Sequence, residues 1–317
     1  MRCHDVVSDG AAIDPAGVFE QHRTLLVGVA YRVLGSVSDA EDVVQETWLR
    51  WAAADRSGVR DARAYLTTST SRLALNALRA RRRRRESYVG PWLPDPVFSD
   101  ARAAGRVDPA QADPAQPVLL AEDVSLAVLV VLESLSPLER VVFVLHDLFG
   151  FDHAEVGRAV GRSEVAVRQL ASRARRHVRE RRPSAPPDPS EHASVTREFM
   201  RAAVSGDLTG LLAVLAPDVV VLTDGGGQTK AALRPINGAD KAARFLAAIS
   251  SDVPGVDWEL TGLNGRAGVL VHLGGQLIAA VDLDTTDGRV STLRVQLNPA
   301  KLTGVRRIPP TVAPEQT

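Results

Sequence analysis

Runs of proline and glycine cut this chain of 317 residues into three blocks of unlike periodicity, which excludes one continuous fold. The stretch from Pro91 to Pro117 holds six prolines with several alanines and one glycine, and can be neither a continuous helix nor a central strand. Pro183 to Pro189 is a second breaker. With 45% hydrophobic residues the blocks have enough apolar material for real cores, and the length suits two or three domains. No tandem repeat relates them, so the chain reads as different modules in series.

The first block, from about Val18 to Tyr88, returns apolar residues every three to four positions and is expected to be helical throughout. Ser38 followed by Glu41 reads as a capping box that opens the helix carrying Asp39, Glu41, Asp42, Gln45 and Glu46. A second helical block opens near Glu122. Ser136-Pro137 with Glu139 is a capping box with proline at the first helical position, and Asp152 with Glu155 is another. Gly161-Arg162 makes a tight turn, after which Ser163 caps a last helix whose Val167, Leu170, Ala174 and Val178 share a face. Helix, glycine turn and arginine-rich helix together form a helix-turn-helix pattern.

Beyond the second breaker the periodicity changes. A helical segment, His192 to Leu215, precedes strand-like runs at Val219–Leu222, Trp258–Leu263, Gly268–Leu273, Gln276–Leu283 and Arg289–Leu297, with a further helix from Asp240 to Ile249. Asp224-Gly225-Gly226-Gly227 and Thr286-Asp287-Gly288 punctuate the strands as turns. The expected architecture is α+β with a curved antiparallel sheet.

The formal net charge is zero, and the chain carries 26 basic against 24 acidic residues up to Arg182 and 12 against 14 after it. Affinity for nucleic acid must therefore come from clustering. Two clusters exist: Arg79 with Arg81 to Arg85, which includes Arg82 and Arg83, and Arg168, Arg173, Arg175, Arg176, Arg179, Arg181 and Arg182. Forked guanidinium donors suit phosphate, and two clusters suit one long nucleic-acid partner gripped at two points. In the last helix of the second block, Arg168, Gln169, Ser172 and Arg173 lie off the packed face, where Arg and Gln can pair with guanine or adenine edges. Arg175, Arg176, Arg179 and Arg182 would then hold phosphates. The competing reading is a solvated basic face. Tyr65, Thr68 and Arg72 precede the first cluster on a long helix. Trp48 and Trp51 read as core. The acidic face of Asp39, Asp42, Gln45 and Glu46 cannot touch phosphate, and it suits a basic protein partner.

Cys3 is the only cysteine, which excludes an internal disulfide, and the seven histidines show no metal-ligand spacing. Apolar runs such as Leu126–Leu132 are far shorter than the roughly 20 residues of a membrane helix, and Met1–Gly17 has no apolar signal core. A cytoplasmic protein with no cofactor, no metal and no membrane partner is expected.

These motifs resemble the extracytoplasmic-function sigma factors of bacterial RNA polymerase. Asp39-Ala40-Glu41-Asp42-Val43-Val44-Gln45-Glu46-Thr47-Trp48-Leu49 is similar to the segment that docks the core enzyme's clamp helices. Leu135-Ser136-Pro137-Leu138-Glu139-Arg140 and the helix-turn-helix resemble the domain that reads the −35 element. The resemblance implies that Asp39, Asp42, Gln45 and Glu46 bind the core polymerase, through its β′ clamp, and that Tyr65, Thr68 and Arg72 lie where the −10 strand is opened and read. It also implies a β-flap contact. The wider family often has Trp-Leu-Tyr-Arg where this chain has Tyr65-Leu66-Thr67-Thr68.

Trp92-Leu93-Pro94-Asp95-Pro96, Asp224-Gly225-Gly226-Gly227-Gln228 and Asn298-Pro299-Ala300-Lys301-Leu302 are similar to motifs of a subgroup with a fused SnoaL-like extension. The implied fold is multidomain: an all-α sigma-2 bundle (14–88), a proline-rich linker (89–121), an all-α sigma-4 helix-turn-helix domain (122–182) and an α+β, cone-shaped SnoaL/NTF2-like domain (191–308). Trp92, Pro94, Asp95, Asp224, Gly225, Gly226, Asn298, Pro299 and Lys301 are the expected interdomain contacts. The extension would regulate the sigma domains in cis, in place of a separate anti-sigma protein. Trp92 between prolines is a rigid apolar anchor, or else a cover for its own domain.

The leading expectation is an alternative sigma factor without catalytic residues of its own. A second reading makes the C-terminal domain a small-molecule-binding or enzymatic module with Asp224, His272 and Asp282 as candidates by residue type. A third, a helix-turn-helix repressor, accounts for the second block only.

Overall fold

The structure is a computed structural model describing residues 14–85, 88–99, 125–181, 188–252 and 255–303. Three helices open it: α1 (Pro15–Leu34), α2 (Val37–Ala53) and α3 (Ala62–Arg85). Asp14 caps α1 by accepting from Ala16 and Gly17, and Gly35 closes it in the left-handed region at φ 66°. The next helix restarts at once, because Ser36 is already extended and accepts from the Asp39 amide. The Ser38/Glu41 box is therefore not the start of α2, and Ser38 lies inside its first turn. Pairing by residue type alone misplaced the cap by two positions.

The C-terminal half of α1 is buried on every side from Gly28 to Leu34, Arg32 included. It is a central strut rather than a surface helix. After the short strand β1 (Phe98–Ser99), α4 (Leu126–Glu133), α5 (Pro137–Phe143), a π-helical turn at Val144–Leu148, α6 (His153–Val160) and α7 (Glu164–Arg181) follow. Both expected capping boxes, at Ser136/Glu139 and Asp152/Glu155, are formed in full. Gly161 makes the turn before α7 at φ 67°. The two helical blocks are separate in sequence but share one apolar core, in which Leu26, Val29, Leu66 and Ala74 join Leu129, Val142, Leu145, Val156 and Val167.

The third block supplies α8 (Pro189–Ser205), α9 (Leu208–Val214), β2 (Leu215–Asp224), β3 (Ile236–Asn237), α10 (Ala239–Asp252), β4 (Val256–Leu263), β5 (Arg266–Leu273), β6 (Gln276–Thr286), β7 (Arg289–Gln296) and α11 (Pro299–Leu302). The single helix expected over His192–Leu215 is two, broken where Gly206 takes φ 63°. The sheet order is β1-β4-β5-β6-β7-β2-β3. It is mixed rather than antiparallel, since β2 runs parallel to β7. Alternation sets two faces: Val219, Val221, Val269, Val281, Leu283 and Leu293 pack under α8, α9 and α10, while Asp224, Asp282, Arg294 and Gln296 occupy the other face. That second face meets the linker and the end of α1. The linker even extends the sheet, with Phe98 opposite Leu263 and Ser99 opposite Gly262.

Candidate functional site

Helix α2 turns Ala40, Val43, Val44, Thr47 and Trp51 inward, so the same 3.6-residue period leaves Asp42, Gln45 and Leu49 on the open side. Leu49 is 55% exposed, an apolar centre beside acid and amide groups that suits a protein partner. Glu46 is paired with Arg50 at 2.9 Å, and Asp39 with Arg81 at 3.2 Å.

The α7 face expected to meet DNA is also open. Ser163 accepts from the Ala166 amide, and Gln169, Ser172 and Arg176 are exposed. Arg168 pairs with Glu164, Arg173 with Glu139 at 3.3 Å and Arg175 with Asp147 at 2.5 Å. The exposed Arg168–Glu164 pair is worth under about 1 kcal/mol, while the Glu139 and Asp147 side chains are partly buried.

The α3 residues are placed differently. Tyr65 packs its ring on Trp51, with centroids 5.4 Å apart, and lies partly buried against the helical core. Thr68 lines a crevice shared with Phe151, Glu155 and Val156. Arg72 donates from Nε to the Ala159 carbonyl at 3.1 Å and from Nη2 to the Arg158 carbonyl at 2.8 Å, closing the C-terminal end of α6. In this arrangement the Thr68–Arg72 face is engaged by α6. Arg79 is exposed, and the side chains of Arg82 and Arg83 lie outside the described residues.

A third centre joins linker and extension. Asp224, fully buried at the end of β2, accepts from the Tyr88 hydroxyl at 2.6 Å, the Leu93 amide at 2.8 Å, Lys301 Nζ at 2.7 Å and the Gly226 amide at 3.1 Å. Lys301 also donates to the Leu93 carbonyl at 2.6 Å, and its ammonium stands 4.0 Å from the centre of the Trp92 ring. Arg81 stacks on Trp92 at 4.3 Å. Burial pulls the Lys301 ammonium down to about 8, with Asp224 opposing that shift.

Asn298 caps α11 through the Ala300 amide and donates to the Tyr88 hydroxyl at 3.1 Å, while Pro299 takes the first helical position in solvent. Gly225 is buried. At Gly226, where φ is 57°, a β-carbon would stand 2.1 Å from Asn298 Nδ2 and 3.1 Å from the Tyr88 hydroxyl, so glycine is required for the close approach of Asn298. The glycine run thus serves chain-to-chain contact, and Lys301 meets the carboxylate just before it.

Asp95 is 4% exposed, and Pro94 beside it is buried. Its Oδ2 accepts from the Val37 amide at 2.8 Å and its carbonyl from the Tyr31 hydroxyl at 2.7 Å. Burial raises its carboxyl to about 6, against the opposing pull of Val37, Lys301, Arg81 and Ser36. Asn264 donates to the Tyr31 hydroxyl at 2.9 Å and exchanges two hydrogen bonds with Val97. Tyr31, Tyr88 and Asn264 escape sequence reasoning, because their partners lie far along the chain; Asn264 sits between β4 and β5 at φ 47°.

Asp224 and Asp282 lie off the sheet face that packs under the helices, and His272 is partly buried on β5, so these three do not converge under the helices. Asp282 and Asp284 are instead bound by Arg294 in a buried ion cluster, with Arg266 at 3.6 Å from Asp284. No helix among the described residues is long and apolar enough to cross a membrane.

Residues 18–84 match the family model Sigma-70 region 2, and residues 125–178 match Sigma-70, region 4. The ECF RNA polymerase sigma factor SigJ of Mycobacterium tuberculosis is 42% identical over 302 residues, covering 90% of this chain and 92% of that protein. The ECF RNA polymerase sigma factor SigG of the same species is 34% identical over 217 residues, covering 63% of this chain and 59% of that protein. A crystal structure of M. tuberculosis SigJ superposes with a TM-score of 0.71 at 36% identity, over 92% of this chain and 99% of that one.

Proposed function

The chain belongs to the extracytoplasmic-function sigma factors of bacterial RNA polymerase, and from that membership we propose a specific division of labour among its parts. As an alternative sigma factor it binds core polymerase and promoter DNA. The open α2 face of Asp42, Gln45 and Leu49, with Asp39 and Glu46 at its margins, is the docking surface for the β′ clamp. Helix α7 enters the major groove of the −35 element through Arg168, Gln169, Ser172 and Arg173, with Arg176 on phosphate. The Thr68–Arg72 face of α3 reads the −10 strand once α6 has left it. Arg79, with Arg82 and Arg83, extends that track along the backbone.

The SnoaL-like domain regulates these steps in cis, and it acts without a catalytic constellation of its own. The observation that carries this reading is the burial of Asp224 and Lys301 against Leu93, which ties the extension to the linker between the two promoter-reading domains.

Substituting Gln45→Ala together with Glu46→Ala is expected to weaken binding to core polymerase by about tenfold or more, since Gln45 sits at the centre of the docking face and Glu46 at its margin. Thermal unfolding should be unchanged, because Gln45 is exposed and Glu46 contributes only a surface pair. Equal affinity of variant and parent for core would remove the clamp assignment.

A further inference from the structure

Helix α2 supplies little of its own N-terminal capping. Its N-cap Ser36 accepts from Asp39 at 3.4 Å, at the long limit of a hydrogen bond. The short bond at this end comes from elsewhere: the Val37 amide donates at 2.8 Å to Asp95, 58 residues later. A carboxylate on a first-turn amide satisfies a donor that the helix cannot pair internally, and it complements the positive end of the helix dipole.

Asp95 is itself held from both sides. Its amide donates to the Gly35 carbonyl at 2.9 Å, and its carbonyl accepts from Tyr31. Two residues before it, Leu93 is gripped by Asp224 and Lys301; two residues after it, Val97 is gripped by Asn264. Leu93 and Asp95 each precede a proline, which restricts both to extended backbone, so the segment moves as a stiff rod. A second contact runs beside it: Arg81, which pairs with Asp39 and donates to the Leu34 carbonyl, stands over the Trp92 ring at 4.3 Å. Meanwhile the outward face of α2, with Asp42, Gln45 and Leu49, remains open to solvent.

We propose that Asp95 is a positioning residue for polymerase binding: the C-terminal domain controls the clamp-docking helix through its N-terminal cap, not by covering its docking face. The inference rests on the clamp reading of α2. When the extension holds the linker, Asp95 fixes the first turn of α2 and with it Asp39 and Asp42. When the extension lets go, the cap is withdrawn and that turn frays. The C-terminal domain is then a support for core binding.

The test uses the full chain and two variants, Asp95→Ala, which removes the acceptor, and Asp95→Asn, whose amide oxygen can still accept from Val37. Core affinity is measured without DNA, amide exchange is followed from Val37 to Ala40, and thermal unfolding confirms that each variant is folded at the assay temperature. Asp95→Ala is expected to lose about fivefold to tenfold in core affinity, the usual scale for a lost N-cap, and to exchange its Val37 amide faster. Asp95→Asn is expected to restore both to within about twofold, since the hydrogen bond survives without the charge.

Unchanged core affinity in Asp95→Ala, or equal losses in both variants, would overturn the proposal. Gln45→Ala/Glu46→Ala is measured in parallel. If that variant binds core normally, the clamp reading has failed and the proposal goes with it, whereas normal binding by Asp95→Ala alone overturns only the relay.

Discussion

Asp224→Ala is expected to release the linker from the C-terminal domain, at a cost of about 3–5 kcal/mol to their junction, the range for removing one partner of a buried ion pair. The size follows from what is left behind. Lys301, a residue 8% exposed, would be left with only the Leu93 carbonyl and the Trp92 ring, and the Leu93 amide and Tyr88 hydroxyl would lose their short acceptor bonds. Burial already pulls the Lys301 ammonium down to about 8 with Asp224 opposing that shift, so without Asp224 it falls further. The helical core of the sigma domains does not use Asp224, so the effect should be local. Amide exchange at Leu93 and Val97 should accelerate strongly, while exchange in α1 and α7 changes little. Protection of Leu93 equal to that of the parent would mean that other contacts hold the linker.

The second large effect is expected at Arg294→Met. Arg294 bridges Asp282 and Asp284, and all three are no more than 5% exposed. Asp282 sits directly across the ladder from Arg294. Removing the guanidinium leaves Asp282 without its cation and Asp284 with only Arg266 at 3.6 Å, again about 3–5 kcal/mol. Burial already raises the Asp282 carboxyl to about 6 despite Arg294. In the variant the Asp282 carboxyl rises further, so the native state takes up a proton that the unfolded chain releases. The deficit is therefore greatest at pH 7.5 and shrinks as pH falls through about 6 towards 4. Urea midpoints of parent and variant at the two pH values check this. A deficit that grows on acidification would contradict the assigned ion cluster.

The elements that were legible in the sequence are those whose signal is local. The Ser136 and Asp152 boxes, the Gly161 turn and the strand runs near Trp258 and Arg289 each depend on residues within one turn or one strand. What escaped depends on partners far along the chain. The cap of α2 comes from Asp95, so Ser38 and Glu41 looked sufficient when neither starts the helix. The parallel pairing of β2 with β7 joins Asp224 to Gln296, and nothing in either strand announces its direction. Three interdomain motifs were readable as contacts by resemblance, but their chemistry was not. Gly226 matters because Asn298 and Tyr88 stand against it, and Lys301 because Asp224 and Leu93 converge on its ammonium. Likewise, Arg72 reads as a nucleic-acid contact, and its hydrogen bonds to the end of α6 appear only once two blocks separated by the linker share a core.

The most direct test of a sigma factor governed by its own extension is run-off transcription from genomic promoter fragments, using core polymerase with three proteins: the full chain, a truncation after Arg182 and a truncation after Leu297. The last removes Asn298 and Lys301 while keeping every strand of the sheet. The account predicts initiation that requires core polymerase and that changes in level when the chain is cut after Leu297. No core-dependent initiation by any of the three, or identical initiation by all of them, would contradict it.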